Sequence, residues 1–201
     1  MNIFYNENGV GDVLLVQLTT ERPENSEIEK KNDIALIKDA ATDKVVGFNV
    51  FNASDYVKTE VNGQVETTEE IVDQLQEALK SNGVDLELDV DFTPKFVVGH
   101  VVAKEKHPNA DKLSVCKVDV GNETLQIVCG APNVEEGQKV VVAKVGAVMP
   151  SGMVIRDAEL RGIASSGMIC SAKELGIPNA PAEKGIMVLG ADATPGDSFT
   201  I

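Results

Sequence analysis

Aromatic side chains are scarce in this 201-residue sequence, which has no tryptophan and only 4% Phe, Trp and Tyr. Beyond residue 94 the aromatic residues are Phe96 and Phe199. Many proteins that bind single-stranded nucleic acid stack successive bases on aromatic side chains. The back half of this chain therefore lacks a stacking platform of that kind.

Cysteine is also sparse, and its spacing excludes two common kinds of site. Cys116, Cys129 and Cys170 are odd in number and far apart, which indicates reduced thiols rather than a disulfide framework. No two of them form a C-x-x-C pair, so together with His107 they do not make a zinc-binding pattern. No glycine loop for nucleotide phosphates is present, and no motif surrounds a Cys/His pair. We expect no metal, no cofactor and no catalysis.

No apolar run approaches the eighteen residues that a transmembrane helix requires, so we expect no membrane association. The first residues, Met1 to Asn8, lack a basic segment followed by an apolar stretch and do not resemble a signal peptide. Both observations predict a cytoplasmic protein.

Negative charge is unevenly distributed and divides the chain into two parts. The net charge is −14, and residues 1–94 hold 20 Asp and Glu against 7 Lys and Arg, whereas residues 95–201 hold 12 against 11. The change falls in an acidic stretch that ends at Pro94. We therefore predict an acidic domain over 1–94 and a second domain over 95–201, each long enough to bury a core.

The acidic part has the pattern of an α+β domain. Short apolar runs at 13–18, 34–37 and 45–51 predict strands, and the polar segment between the last two predicts a hairpin connection. Thr67 and Glu70 form a capping box ahead of apolar residues at helical spacing, and Asn82-Gly83 is typical of a helix end. The carboxylates are scattered, so the acidity is interpreted as a solvated surface.

The back half is dominated by short valine-rich strands, predicted at 96–103, 114–120, 124–129 and 139–144. Alternation along the second and third of them places Cys116 and Cys129 on apolar faces. A Gly121-Asn122 turn joins these two strands, and a brief helical stretch is expected near 171–175. Such a pattern favours a small closed or nearly closed all-β barrel.

Three runs in this half resemble a known family. They are His107-Pro108-Asn109-Ala110-Asp111-Lys112-Leu113, Val128-Cys129-Gly130-Ala131-Pro132-Asn133-Val134 and Ser165-Ser166-Gly167-Met168-Ile169-Cys170-Ser171. In this order they resemble the tRNA-binding domain of the bacterial phenylalanyl-tRNA synthetase beta subunit, of some methionyl-tRNA synthetases and of small stand-alone proteins. With the acidic domain included, the chain resembles the YtpR family. The resemblance covers about residues 95–199 and implies an OB-fold barrel with a C-terminal extension.

Two candidate RNA-binding residues lie in the first two runs. Pro108 stops a strand, and Asn109 and Asp111 can close a turn through their side chains, which leaves Lys112 on a loop tip. By resemblance this loop borders the nucleic-acid surface, and the alternative is an ordinary solvated lysine. Asn133 follows a proline and offers a donor and an acceptor to a base or ribose, or it satisfies its own turn. His107 is expected to cap the turn or to be partly buried.

The third run and the residues ahead of it supply the other candidates. Arg161 presents a planar fork for phosphate, and Ser165 and Ser166 offer hydroxyl groups. Met168 is unbranched and polarizable, so it can pack against a base, although plain core packing is an equal alternative.

Two functions remain open at this stage. The first is non-catalytic binding of a folded tRNA through its shape, its phosphates and its 2′-hydroxyl groups. The second is a protein-interaction or chaperone-like dimeric module that docks on an aminoacyl-tRNA synthetase or another protein. The net charge of −14 favours the second, because it repels a polyanion. Exposed barrel edges and the resemblance to dimeric stand-alone proteins predict a homodimer.

Overall fold

A computed structural model of the protein describes residues 1–59 and 61–201. The chain divides into two units, Met1–Thr93 and Pro94–Ile201. The charge step in the sequence lies next to this division, between residues 94 and 95.

The front unit is built on an antiparallel sheet. Within its described residues the strands are β1 (Asn2–Tyr5), β2 (Val13–Gln17), β3 (Ser26–Lys31), β4 (Ile34–Asp39), β5 (Val45–Phe51) and β6 (Gly63–Val65). Their order is β3-β4-β5-β2-β1-β6. A short helix α1 (Glu7–Val10) joins β1 to β2, and a single 3-10 turn (Ala53–Asp55) follows β5.

One long helix, α2 (Glu69–Ser81), covers one face of this sheet. Leu75 and Leu79 are fully buried on its inner side, against Phe48 and Leu14 of the sheet. Asn82 ends α2, and Gly83 follows with φ of +74°, which confirms the predicted left-handed end of the helix.

The front unit is mostly β and not clearly α+β as predicted, because it has the one long helix that was expected but twice as many strands. Strands β1, β3 and β6 were not predicted. The sequence of β3, Ser-Glu-Ile-Glu-Lys-Lys, has one apolar residue, and as an edge strand it is exposed along most of its length. A strand that buries neither face leaves no alternation of apolar and polar residues to detect.

The start of α2 differs by one residue from its prediction. Thr68 and not Thr67 is the N-cap, and its hydroxyl oxygen accepts a hydrogen bond from the Ile71 amide at 3.3 Å. Three residues beyond Thr68 stands Ile71, so the reciprocal Glu contact of a capping box does not form.

The back unit is a second antiparallel assembly of strands. Its strands are β7 (Phe96–Lys106), β8 (Ser114–Asp119), β9 (Thr124–Cys129), β10 (Lys139–Ala143), β11 (Asp157–Leu160), β12 (Ile163–Ser166), β13 (Met168–Ile169) and β14 (Val188–Leu189). The main sheet has the order β13-β10-β7-β8-β9, and β14 pairs with β10. The four strands predicted in this half are β7 to β10.

The two ends of this sheet approach each other. Both β12 and β13 contact β9, so the first and last strands of the order lie side by side and give a barrel-like closure. Gly167 stands at the corner between β12 and β13 with φ of +102°, and a Cβ atom there would lie 2.9 Å from the Ala143 carbonyl oxygen. Only glycine allows this close approach of the two backbones.

The interior of the back unit is filled mainly by valine and cysteine. Cys116, Val118, Ile127 and Cys129 point into one buried cluster, which confirms the predicted inward faces of β8 and β9. A second cluster holds Cys170 together with residues of β10 and of the chain that follows β13. The predicted helical stretch after Ser171 is a single turn in the structure, with the Leu175 amide bonded to the Ser171 carbonyl.

No helix in the described parts of the chain, 1–59 and 61–201, is long and apolar enough to cross a lipid bilayer.

The N-cap of α2 gives a first testable prediction. Thr68→Ala removes the acceptor for the Ile71 amide and lowers the free energy of unfolding of the front unit by about 1 kcal/mol. Thr67→Ala is the matched control, and its effect is smaller. Urea unfolding followed by circular dichroism measures both, and an equal loss for the two variants contradicts the assignment of Thr68.

Candidate nucleic-acid interface

The loop between β7 and β8 is held in shape by its first residue. The His107 amide donates to the Leu113 carbonyl, and the His107 ring accepts a hydrogen bond on Nδ1 from the Asn109 amide at 3.0 Å. His107 is only 4% exposed, which confirms that it is a buried turn residue. Lys112 is exposed near the end of this loop.

A two-residue turn between β11 and β12 lies against this loop. Arg161 and Gly162 form the turn with φ of +49° and +85°, as a tight hairpin turn requires. The His107 Nε2 atom lies 2.9 Å from the Leu160 carbonyl oxygen, and the Asn109 side-chain amide donates to the Arg161 carbonyl at 3.1 Å. Since Nδ1 accepts a hydrogen bond, the neutral ring carries its proton on Nε2 and donates it to Leu160.

These contacts bring Lys112 and Arg161 onto two adjoining loops, although 49 residues separate them in the chain. Both side chains are exposed. Neither forms a salt bridge within 4.0 Å in the described part of the chain, whereas Lys104 pairs with Glu135 and Lys144 pairs with Glu123. The positive charges at these two loops are therefore available to an anion.

Side chains fasten β12 to the outer edge of β9. The Ser165 Oγ atom accepts a hydrogen bond from the Val128 amide at 3.0 Å, and the Gln126 side chain donates to the Ala164 carbonyl at 2.8 Å. Ser165 is 4% exposed, so its hydroxyl is used for the contact between β12 and β9. Ser166 is half-buried, and its hydroxyl donates to the Asp157 carboxylate across the hairpin.

The second sequence run meets the first at Gly130. A Cβ atom at Gly130 would lie 3.2 Å from Leu113, so the end of β9 touches the end of the β7–β8 loop. Three residues on, Asn133 donates through Nδ2 to the Ile186 carbonyl at 3.1 Å and accepts on Oδ1 from the Ile186 amide at 2.8 Å. The Asn133 side chain thus bonds to backbone groups of a residue 53 positions away rather than to those of its own turn.

A cleft of about 920 Å³ lies between the end of β9 and the chain that follows β13. Cys129, Met168 and Met187 contribute apolar lining, and Met168 also packs on the buried cluster around Cys170. Lys173 and Lys184 lie at the cleft as exposed cations, and in the described ranges neither has a carboxylate within 4.0 Å.

The six predicted site residues lie in three neighbouring places. Lys112 and Arg161 lie on the adjoining loops, and Ser165 and Ser166 are on β12. Met168, at the start of β13, and Asn133 both line the cleft, and the amide group of Asn133 is engaged by Ile186. The prediction that these residues contact RNA stays a prediction.

The three thiols are buried in the barrel, and burial opposes their ionisation. Desolvation raises the pKa of Cys116 to about 11 and that of Cys170 to about 12, and it raises the pKa of Cys129 as well. No group of three or more His, Cys, Asp or Glu that could hold a metal ion occurs among residues 1–59 and 61–201.

The comparisons with known proteins agree with the resemblance in the sequence. A family described as "Putative tRNA binding domain" matches residues 96–198, which is half of the chain. The Bacillus subtilis protein with the description "Putative tRNA-binding protein YtpR" is 62% identical over 199 residues, and the match covers 99% of both chains. This chain belongs to the YtpR family.

Other relatives match a smaller share of this chain, 61% for an Oleidesulfovibrio alaskensis protein and 72% for a Staphylococcus epidermidis protein. The phenylalanine–tRNA ligase beta subunits of Oleidesulfovibrio alaskensis and Staphylococcus epidermidis are 54% identical over 126 residues and 45% identical over 152 residues. The YtpR-family chain spans 16% and 18% of their lengths. A solved MetRS-related protein from Pyrococcus horikoshii is 22% identical over 50% of this chain and 84% of its own, with a TM-score of 0.38 that is too low to bear on the fold. Residues 21–91 match a domain of unknown function.

Sequence reasoning missed Lys184, Gln126 and the clamp by Asn133 in this YtpR-family protein. Lys184 and Asn133 line the same cleft although about fifty residues separate them. Gln126 lies on a strand face, and its link to Ala164 depends on strand closure. No local pattern distinguishes these residues, because distant segments of the chain bring each of them to its place.

Thiol reactivity tests the buried cysteines. We expect no reaction of the folded protein with a thiol reagent at pH 8 and complete reaction after unfolding, since the thiolate is the reactive form. Above pH 9, the ordinary thiol pKa, unfolded thiols release protons that the folded ones retain, so the free energy of unfolding falls as the pH rises toward 11 to 12. Rapid labelling of the folded protein contradicts the burial.

Asn133→Ala tests the clamp on Ile186. The substitution leaves the Ile186 amide and carbonyl without partners, which costs about 1 to 3 kcal/mol. Amide hydrogen exchange at Ile186 is then expected to accelerate, while exchange at Val141 in the barrel centre stays slow. Asn122→Ala, in an exposed turn, is the control. Unchanged protection of Ile186 contradicts the role of Asn133.

Proposed function

We propose that this protein is a non-catalytic RNA-binding protein that binds folded tRNA through its back unit. The observation that carries the proposal is the convergence of the three sequence runs on one region, with two unpaired cations on adjoining loops. Membership of the YtpR family and the match of residues 96–198 to a tRNA-binding domain family support the same ligand.

We propose further that the barrel of the back unit is an OB-fold. Five strands in the order β13-β10-β7-β8-β9, with the end strands in contact, support this assignment. Strand β7 is long and has a register shift between Val101 and Ala103, a bulge that bends the strand and aids closure. The proposed RNA-facing loops are then the β7–β8 loop and the hairpin β11–β12.

The scarcity of aromatic side chains sets the proposed mode of binding. Phe96 and Phe199 are both partly buried against the cluster around Cys170, so neither is a fully exposed ring for stacking. Recognition then rests on phosphate contacts from Lys112 and Arg161 and on the shape of the folded RNA. Ser166 and Met168 are the adjoining candidates for ribose and base contacts, and Ser165 positions β12.

Three further features belong to this proposal. The protein acts as a non-enzyme, it works in the cytoplasm, and it forms a homodimer. The identity to phenylalanine–tRNA ligase beta subunits supports a role beside an aminoacyl-tRNA synthetase. The net charge of −14 supports the second candidate, a protein-interaction or chaperone-like dimeric module docking on a synthetase or another protein.

The salt dependence of tRNA binding tests the proposal. Lys112→Ala and Arg161→Asn each remove one cation, and asparagine tolerates the positive φ of residue 161. We expect each variant to bind tRNA roughly tenfold more weakly. The slope of log affinity against log salt concentration is expected to fall by about one unit.

The control for this experiment is Lys80→Ala, which removes an exposed cation of the front unit. It should leave both the affinity and the salt slope unchanged. A filter-binding series with tRNA, a duplex RNA and a single strand measures all variants. Unchanged slopes for Lys112→Ala and Arg161→Asn contradict their phosphate contacts, and absence of tRNA binding by the wild type favours the protein-interaction candidate.

A further inference from the structure

Strand β3 is an unpaired edge of the front sheet. It pairs with β4 on one side and stands at the end of the strand order. Ile28, at its middle, is 73% exposed, the highest exposure among the large apolar side chains of the described residues. Exposed edge strands with free amides and carbonyls are templates for pairing with another strand.

The register with β4 shows which backbone groups of β3 point outward. The Ala40 amide donates to the Asn25 carbonyl, which makes Asn25 and Ala40 a hydrogen-bonded pair of the β3–β4 ladder. Hydrogen-bonded pairs alternate along an antiparallel ladder. The amide and carbonyl groups of Ser26, Ile28 and Lys30 therefore face away from β4.

The edges of barrel strands are less available than the sequence suggested. On the free side of β9, the Val128 amide donates to Ser165, and Gln126 bonds to Ala164. On β10, pairing with β13 and β14 occupies the side opposite β7. Compared with the edges of β9 and β10, the edge of β3 is the better place for strand pairing between molecules.

The charges of β3 are complementary to those of a second, antiparallel copy of the same strand. A two-fold axis at Glu29 sets Glu27 opposite Lys31 of the second copy and Ile28 opposite Lys30 of the second copy, each twice. Opposite charges that face each other across an antiparallel pair stabilise it, and like charges destabilise it. The axis also places the outward groups of Ile28 and Lys30 opposite each other, as a continued ladder requires.

Both neighbouring registers are disfavoured by charge. An axis at Lys30 would set the two Lys30 ammonium groups opposite each other, and Lys30 has no carboxylate within 4.0 Å among the described residues. An axis at Ile28 would set Glu27 opposite Glu29 of the second copy twice. With the axis at Glu29, the one like-charge contact joins the two Glu29 carboxylates. Each Glu29 is held by Lys31 at 3.2 Å and by Lys38 at 2.8 Å, which reduces that repulsion.

We propose that β3 forms an antiparallel pair with β3 of a second copy of this chain, centred on Glu29, and so joins two front sheets into one. Charged side chains on an edge strand commonly prevent such association. Here their order favours it, because reversal of the strand direction brings opposite signs together. The proposal gives the front unit a role in self-association that does not depend on RNA binding.

A charge-reversal cycle on the full-length chain tests the proposal. Glu27→Lys and Lys31→Glu each place like charges opposite each other in both halves of the dimer, and each is expected to weaken dimerisation about 10- to 30-fold. The double variant Glu27→Lys with Lys31→Glu restores opposite charges and is expected to dimerise within about threefold of the wild type. Sedimentation equilibrium between about 1 and 200 µM protein measures all four.

The matched control reverses two exposed charges on α2, Glu77→Lys and Lys80→Glu, and should leave the dimer unchanged. Circular dichroism confirms that each variant is folded. A wild type that stays monomeric overturns the proposal, and so does a dimer that neither single reversal weakens. Tighter dimerisation by Glu27→Lys also overturns it, because this result indicates the axis at Ile28. The proposal is likewise overturned if the double variant dimerises no more tightly than the single variants.

Discussion

The attachment of one hairpin to the barrel is the constraint on which the candidate interface depends. The hairpin β11–β12 meets the β7–β8 loop through His107 and Asn109, and it meets β9 through Ser165. His107 joins the hairpin backbone through a buried ring, where an unmet donor or acceptor is costly. These bonds place Arg161 next to the loop that carries Lys112. Loss of these hydrogen bonds would separate Lys112 from Arg161 without changing either residue.

The two units differ in net charge. The front unit carries nearly all of the excess negative charge, whereas the back unit is almost neutral and pairs only some of its cations. At physiological salt, screening limits electrostatic interactions between exposed charges to about 8 Å. A local group of cations therefore affects an anionic ligand more than the net charge of the whole chain does. An acidic chain that presents Lys112 and Arg161 on adjoining loops, without salt bridges to its described residues, is therefore compatible with binding to RNA.

Sequence reasoning performed well where burial imposes a period. Strands β8 and β9 alternate with Cys116 and Cys129 facing inward, and the structure buries both. It failed at β3, where solvent on both sides removes the period, and at the N-cap of α2, where Thr67 and Thr68 are chemically equivalent and tertiary context selects the second. The turn at Gly121 and the end of α2 at Gly83 were predictable because positive φ favours glycine.

The sequence by itself determined the family, the two-part charge distribution, the valine-rich strands of the back half and the identity of the residues in the three runs. Only the tertiary structure decided what those residues do. Asn133 became a clamp for Ile186, Ser165 became a link to β9, and Arg161 became the neighbour of the Lys112 loop. The physical reason is that local propensity and hydrophobic period act over a few residues. Pairing between polar groups some forty to fifty residues apart is fixed by the closure of the barrel.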